Sequence, residues 1–449
     1  MKYGVKSKLI TLIIFMLHVS MYAESINFSL NPLYDITQNT YKITMKGLYD
    51  SKYLQVGGDA YIANDNFYYD PTHYRFYFGG YFNVKEGFVK FNINKFTVKA
   101  GRLILKDFVD SPYSVFLSGA GISAPSILFS YSSENFFYRT QWILLSKNVP
   151  NFNHLDRGVV FKTYGIKIGK IRFAFQDSIV YANRLFDYEY FFSPIPSFLT
   201  QYTLYANKPF YQSWDDNSLM GFFADYHSKE LYLYAQILID DLNMNRFYGG
   251  FQNPDKIAWS VGGKIKTKIG EFGLYHAGAT KYTFESRAFE TGYVLFPESV
   301  VTVHGGTRTL LPEENYVGFK YGENTLAFFV TYSNYIMKGS LDVSLEYILS
   351  GPKSYNNPWQ DLSTCPEYTH LLDDPKIDKT SKLYASYSRE FFKNFLIYTS
   401  VSYIDIKNKL EALPTADGGD YVLKPTNENE NKISLVIGFS LKFDLLKLF

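Results

Sequence analysis

Apolar and polar residues alternate along much of the chain with a period of two, the pattern of β-strands whose two faces meet different surroundings. Between Ser340 and Tyr347 the odd positions are Leu, Val and Tyr and the even positions are Ser, Asp and Glu. From Ile433 to Leu445 every odd position is again apolar. Similar alternation predicts strands over 171–182, 231–241, 325–336 and 395–407. Long stretches of helical periodicity and fixed-length repeats are not found.

The predicted links between strands sort into two kinds by length. Short links fall at Ser132–Asn135, Ile168–Lys170, His227–Glu230, Gly270–Glu271, Met337–Gly339 and Phe391–Asn394, and long ones at 103–123, 183–216, 242–256, 351–379 and 408–430. Bacterial outer-membrane barrels have short periplasmic turns and longer outer loops. To keep that alternation we place one more strand near Tyr293–Val303. The pattern predicts an all-β fold over residues 24–449, a closed antiparallel transmembrane β-barrel of about 18 strands.

The composition agrees with a barrel and argues against several classes of partner and site. The 449 residues include 41 Tyr and 40 Phe, which suit a lipid-facing wall with aromatic girdles. A net charge of +2 argues against a nucleic-acid partner, since such domains are clearly basic. One Cys and seven scattered His favour neither a disulfide framework nor a metal site, and nothing in the sequence calls for a cofactor.

Both ends of the chain carry export signals. Lys2, Lys6 and Lys8 precede an apolar run, Leu9–Leu17, and a small residue at Ala23, which predicts a signal peptide over residues 1–23. The last predicted strand ends in Phe449, and a terminal aromatic resembles the signal by which the barrel-assembly machinery recognises its substrates. The predicted location is the outer membrane of a Gram-negative cell, with membrane lipid around the barrel.

Several short segments, in the same order and spacing, resemble the Wzi family of capsule-assembly outer-membrane barrels. They are Lys99–Arg102, Ser114–Ser118 with Ala124-Pro125, Tyr202–Pro209, Asp215–Gly221, Leu231–Gln236, Ile239–Asp241 and Ile257–Gly262. The resemblance implies an 18-stranded barrel that binds surface polysaccharide, helps to attach a capsule and is not an enzyme.

The 183–216 link is the predicted glycan-binding region, because sugar rings stack on aromatic side chains while carboxylates and amides bind their hydroxyls. Its candidate residues are Tyr188, Tyr190, Tyr211, Trp214, Asp215, Asp216 and Asn217. The alternative for these rings is packing in a lid or an aromatic girdle.

A porin-like diffusion channel for small solutes is the alternative function. Charged side chains would then line the lumen and set selectivity. The candidates, chosen by alternation, are Arg102, Arg157, Arg172, Arg184, Asp177 and Glu346. No Ser/His spacing indicates a hydrolase, so no catalytic residue is predicted.

Overall fold

The computed structural model describes residues 24–65, 79–148, 155–206, 216–247, 249, 253–286, 290–303, 306–355, 366–415 and 421–444. The predicted signal peptide and Phe449 lie outside these ranges. Eighteen strands form one antiparallel sheet. They are β1 (Ser25–Asp35), β2 (Thr40–Asp50), β3 (Leu54–Ala63), β4 (Tyr81–Ile93), β5 (Phe96–Lys106), β6 (Ser118–Ser132), β7 (Phe136–Ser146), β8 (Arg157–Ile168), β9 (Ile171–Ala182), β10 (Asn217–His227), β11 (Leu231–Asp241), β12 (Lys256–Thr267), β13 (Gly270–Ala279), β16 (Thr325–Ile336), β17 (Gly339–Ser350), β18 (Asp378–Phe392), β19 (Phe395–Lys407) and β22 (Glu430–Asp444).

A few short elements lie in the connections. Two hairpins stand apart from the wall, β14 (Val300–Val303) with β15 (Gly306–Thr309), and β20 (Leu410–Pro414) with β21 (Tyr421–Pro425). The helices are α1 (Tyr188–Phe192), α2 (Ser197–Ala206), α3 (Pro312–Asn315) and a 3-10 turn (Met244–Phe247). In the part of the chain that the structure describes, no helix combines the length and the apolar character needed to cross a membrane.

The sheet closes on itself. β1 pairs with β2 on one side and with β22 on the other, in a register that sets Phe28 opposite Phe443. Closure pairs the backbone groups of both terminal strands, which a wall in lipid requires. The predicted closed antiparallel barrel is confirmed, and the predicted strands over 171–182, 231–241, 325–336 and 395–407 coincide with β9, β11, β16 and β19.

The extra wall strand predicted near Tyr293–Val303 is wrong. β13 pairs directly with β16, so residues 280–324 form one long connection. Val300–Val303 instead pairs with Gly306–Thr309 in its separate hairpin. The alternation of short and long links holds without another strand because both ends of this connection already lie on the same side of the barrel.

The two ends of the barrel differ in their connections. At one, the turn end, links of two or three residues join β4 to β5, β8 to β9 and β18 to β19. Asn94, Gly169 and Asn394 sit in these turns with φ of 55°, 59° and 74°. Glycine and asparagine reach this left-handed region at lower cost than other residues, so the turns can be tight. By the rule for bacterial barrels, the turn end is periplasmic and the other, the loop end, faces outward.

Candidate functional site

Two connections from the loop end supply most of the loop side chains that are buried against the wall in the lumen. They are the 107–117 loop, between β5 and β6, and the 280–324 loop, between β13 and β16. Phe116 of the first and Phe284 of the second belong to one buried cluster with wall side chains such as Phe161. We call the inner faces of β6–β13, β16 and β17, which supply most of the wall side chains of this cluster, the packed sector.

A buried polar network fixes the 107–117 loop to the wall. Asp107 accepts hydrogen bonds from Gln176 of β9 and Gln236 of β11, each at 2.7 Å, on different carboxylate oxygens. The hydroxyl of Ser114 also donates to this carboxylate, at 2.8 Å. All four side chains are buried, so each needs a hydrogen-bond partner within the protein. Because the loop and the wall supply these partners to each other, the network holds the loop in place.

Arg157 of β8 performs the same role for the 280–324 loop. Its side chain is fully buried in the lumen and meets backbone carbonyls of that loop. It donates to the carbonyls of Glu290 and Gly292, the latter at 2.8 Å. It also donates to Val294 at 3.2 Å and Leu295 at 3.3 Å. One guanidinium therefore supplies partners for several carbonyls of an irregular buried segment.

The 280–324 loop also carries buried carboxyl groups. Glu323 accepts from the backbone amides of Ser354, at 2.8 Å, and Tyr282, and the ammonium of Lys353 donates to the Glu323 carbonyl at 2.6 Å. Burial raises the pKa of Glu323 to about 7 and lowers the pKa of Lys353 to about 8. Burial, and then the charge of Glu323, raises the pKa of Glu285 well above its ordinary value. Proton uptake and the order of this loop are therefore linked.

Glu346 of β17 is the third wall contact for these loops. Its carboxylate accepts from the Tyr113 hydroxyl at 2.7 Å and lies 3.0 Å from the ammonium of Lys320. Tyr113 belongs to the 107–117 loop and Lys320 to the 280–324 loop, so one wall carboxylate joins both.

The opposite part of the lumen is a pocket lined with lysines. It has a volume of about 480 Å³ and lies on the inner faces of β22 and β1–β4, which we call the open sector. Its lining is polar and largely basic: Ser29, Asn31, Leu33, Lys42, Thr44, Lys46, Asp59, Tyr61, Lys85, Ser440 and Lys442. None of these side chains is fully buried, in contrast to the packed sector.

Strand pairing arranges these charges in rows. Ser29 of β1 lies between Lys442 of β22 and Lys46 of β2, and Lys46 lies opposite Asp59 of β3. The Lys46 ammonium is 3.3 Å from the Asp59 carboxylate. One row therefore offers two ammonium groups and a single carboxylate to the lumen.

A second row adds the charge of Lys42. Its ammonium lies over the ring of Tyr61, 4.1 Å from the centroid, and Lys85 of β4 lines the same pocket. With Lys46 and Lys442, the pocket lining has four lysines and one carboxylate, and Asp65 is also within electrostatic range of Lys42, so the pocket is net positive and suits an anionic ligand.

The six charges predicted to line the lumen divide into two groups. Arg157, Arg172 and Glu346 face the lumen, and Arg172 pairs there with Asp225. Arg102 does not: Leu105, on the other face of β5, belongs to the luminal cluster, and exposed Arg102 donates to the Ser123 carbonyl at 3.0 Å.

Asp177 and Arg184 were also predicted in the lumen, and the structure places them elsewhere. Gln176 and Ser178 of β9 contact luminal loops, so Asp177 between them faces outward. There it accepts from the backbone amide of Ser197 at 2.6 Å. Arg184 lies beyond the end of β9 in the segment that covers this outer face. Alternation alone identified two faces here but assigned Asp177 to the wrong one.

The covering segment, residues 184–201, is called the flap and contains α1 and the first half of α2. Tyr190 of the flap is buried, and its hydroxyl donates to Asp216 at 2.8 Å. Arg184 pairs with the same carboxylate at 2.6 Å. Burial raises the pKa of Asp216, against the opposing effect of Arg184.

The predicted glycan-binding residues are thus distributed over several places. Tyr190 and Asp216 are bonded to each other, Tyr188 is 73% exposed on the outer surface of the flap, and Asn217 begins β10. Tyr211, Trp214 and Asp215 lie outside the described residues. The lysine pocket was not predicted, although Lys42, Thr44 and Lys46 on one face of a strand are a sequence signal that could have indicated it.

Comparison with known proteins supports the fold. No protein-family model and no curated protein sequence matches the chain. The structure is similar to Wzi of Escherichia coli, with a TM-score of 0.54, 10% identity, and coverage of 97% of this chain and 88% of that one. It also resembles OprD of Pseudomonas aeruginosa (TM-score 0.46, 10% identity, 95% of each chain) and OccAB4 of Acinetobacter baumannii (0.45, 11%, 93% and 98%). The resemblance to Wzi is confirmed as a likeness of fold, and the protein is an integral β-barrel of the outer membrane.

Proposed function

We propose that this protein is a non-enzymatic outer-membrane barrel that binds an acidic surface polysaccharide and assists capsule assembly or attachment. The observation that carries the proposal is the lysine pocket beside a packed sector. Loops anchored by Asp107, Arg157 and Glu346 fill one side of the lumen, and the remaining space collects positive charge. A filled lumen with a charged recess suits binding better than free passage.

The recess has the size and chemistry of a glycan site. Its volume of about 480 Å³ falls in the range of roughly 300–1,000 Å³ typical of ligand pockets. Lys42, Lys46, Lys85 and Lys442 would bind carboxylate or phosphate groups, while the hydroxyls of Ser29, Thr44 and Ser440 would bind sugar hydroxyls.

The similar protein from Escherichia coli adds support. Wzi is described as a carbohydrate-binding β-barrel involved in group 1 capsule assembly. Uronic acids and phosphates are the groups that a lysine pocket selects, so the proposed ligand here is an acidic glycan rather than a neutral one.

Binding of alginate, a polyuronate, to the full chain in detergent micelles tests the proposal, with neutral dextran as the matched probe. Replacing Lys42, Lys85 and Lys442 together by Gln should weaken alginate binding by about tenfold or more, since each charge-assisted contact is worth about 1.5 kcal/mol or more. The control replaces turn-end lysines Lys229, Lys338 and Lys393 by Gln and should leave binding unchanged. Equal affinity of both triple variants for alginate would overturn the proposal.

A channel for small anionic solutes is the second candidate, favoured by the incomplete burial of the open sector. Conductance of the inserted full chain in a planar bilayer separates the two. A closed bilayer with the barrel demonstrably inserted supports binding. Steady conductance with anion selectivity, reduced in the triple Lys42/Lys85/Lys442 variant, supports the channel.

A further inference from the structure

The flap covers a charged patch on the outer face of the barrel wall. Lys162 of β8 and Asp177 of β9 are cross-strand partners. Both side chains are fully buried, although the outer face of a barrel strand ordinarily meets lipid. A charge on that face near the midplane costs about 2–4 kcal/mol. This pair therefore needs a covering segment that supplies hydrogen-bond partners.

The two charges meet the ends of the two flap helices. The ammonium of Lys162 donates to the carbonyls of Ser193, at 2.9 Å, and Ile195, at 2.7 Å, just after α1. The carboxylate of Asp177 accepts from the Ser197 amide at the start of α2. A cation at a helix C-terminus and an anion at a helix N-terminus are the favourable placements.

Other wall residues satisfy the rest of the flap backbone. The Thr140 hydroxyl donates to the Phe191 carbonyl at 3.1 Å, and the Trp142 indole donates to the Leu185 carbonyl at 2.9 Å. Pro194 and Pro196 in the linker between the helices have no N–H to satisfy. Irregular backbone is tolerated at membrane depth only where protein supplies hydrogen-bond partners for its N–H and C=O groups. Here the wall supplies them.

The flap extends along the outer face of the wall, well below the loop ends of the strands. Asp177 lies five residues below Ala182, the end of β9, which is about 17 Å along the strand at ~3.4 Å per residue. A strand tilt of ~40° makes the depth about 13 Å, roughly half of a hydrophobic band of ~25 Å. At that depth Phe198 of the flap contacts the outward ring of Phe175, 6.3 Å between centroids.

The outer surface of the flap is mostly apolar. Its exposed side chains are Leu185, Tyr188, Phe192, Pro194, Ile195 and Leu199, together with one carboxylate, Glu189. Below it, the bare wall exposes Ile166, Phe173 and Phe222 in the same outward direction. The apolar surface of the wall therefore continues across the flap.

We propose that the flap is embedded in the outer leaflet, with its apolar surface in contact with lipid acyl chains and the Lys162–Asp177 pair sealed beneath it. Because the apolar surface of the flap is continuous with the lipid-facing wall, we assign lipid as its contact. The flap is then part of the membrane-facing surface and not an extracellular lid, and Tyr188 contacts lipid rather than glycan.

Quenching of a fluorophore at position 192 tests this in the full chain reconstituted in phosphatidylcholine vesicles. Phe192→Cys is labelled in a Cys365→Ser background, since Cys365 is the only natural cysteine of the chain. We expect strong quenching by a nitroxide on the lipid acyl chain and loss of quenching by aqueous iodide. Ile166→Cys on the bare wall is the lipid-exposed control, and Lys229→Cys in a turn is the water-exposed control.

Two outcomes would overturn the proposal. Iodide quenching at position 192 as strong as at position 229 would place the flap in water. Protection from both quenchers, together with disulfide cross-linking between copies of the unlabelled Phe192→Cys variant, would make the surface an interface between two chains.

A second variant tests the charged anchor. Lys162→Met leaves the Ser193 and Ile195 carbonyls without their donor, so iodide should gain access to the label at position 192. Lys162→Arg keeps the charge and the donors and should retain protection. If protection were unchanged in Lys162→Met, while heat-modifiable migration showed a folded barrel, the anchor would not hold the flap.

Discussion

The packed and open sectors belong to the same sheet and follow the same alternation, yet their inner faces differ in almost every physical respect. In the packed sector Gln141, Phe161 and Gln176 have no exposed surface. In the open sector Lys46 keeps 57% of its side chain exposed, opposite Asp59.

The connections at the loop end contribute to the difference. Strands β5 and β6 are joined by the 107–117 loop, and β13 and β16 by the 280–324 loop, both of which turn inward. Strands β1 and β2 are joined by only Ile36–Asn39, which is too short to reach inward. The lumen is filled beside the two long loops that turn inward, 107–117 and 280–324, and not beside the short β1–β2 link.

Removal of the Arg157 guanidinium is expected to have the largest effect on this contrast. Arg157→Met leaves buried carbonyls such as those of Gly292 and Val294 without donors, which should lower the free energy for opening the 280–324 loop by about 4 kcal/mol. Hydrogen exchange of residues 290–295 measures the opening. The backbone amides of the packed sector should then exchange as readily as those of the open sector.

Arg102→Met is the matched control, because Arg102 is exposed and donates only to Ser123 among the contacts described. It should leave exchange in residues 290–295 unchanged. If both arginine variants behaved alike, Arg157 would not be what distinguishes the packed sector.

Raising the pH should loosen the packed sector by a smaller amount, on the order of 3 kcal/mol. The pKa of Glu323 is about 7 in the folded loop and near 4.5 when the loop opens. The closed loop therefore binds the extra proton, and its stability, full below pH 4.5, is lost as the pH rises through 7. Lys353, with a pKa of about 8, begins to change charge only near the upper end of this range.

Exchange protection factors of the 280–324 loop, corrected for the intrinsic pH dependence of exchange, measure this loss between pH 4.5 and 7.5. Glu323→Gln removes one titrating group and should make the profile less steep, with the remaining slope due to Glu285, whose pKa burial also raises. An equally steep profile in Glu323→Gln would assign the effect to another group.

Much of the wall was predictable from the sequence because each side of a strand meets a uniform medium. Period-two alternation identified β9, β11, β16 and β19, and the terminal strand up to the last described residue, Asp444. Link lengths indicated which ends of the strands lie together. Both signals depend on local sequence, and both are repeated many times along the chain.

The candidate site was harder to predict because it depends on which loop covers which face. Asp177 alternates correctly with Gln176 and Ser178, but the flap makes the outer face polar at this point, so a charge no longer marks the lumen. The lysine pocket depends on lysines from β22, β2 and β4 meeting at the seam where β22 pairs with β1. Only closure of the sheet brings Lys442 beside Ser29.

Loss of one loop-to-wall hydrogen bond should weaken the packed sector slightly. Tyr113→Phe removes the bond to Glu346 but leaves Lys320 beside that carboxylate. We expect a loss of about 1 kcal/mol in the opening free energy of the 107–117 loop, seen by hydrogen exchange. A loss close to that of Arg157→Met would mean that this bond, and not the guanidinium, is the main anchor of the loops.

The smallest effect is expected from an ion pair in the open sector. Lys46→Met removes the partner of Asp59, but the Lys46 side chain is more than half exposed, and such pairs contribute about 0–1 kcal/mol. Denaturant unfolding of the barrel in lipid vesicles should show a change below about 0.5 kcal/mol, while alginate binding weakens, because the lost charge faces the proposed ligand. A large loss of stability would mean that the open sector depends on its charges for folding. The distinction between a packed sector that stabilises the fold and an open sector that is free to bind would then be wrong.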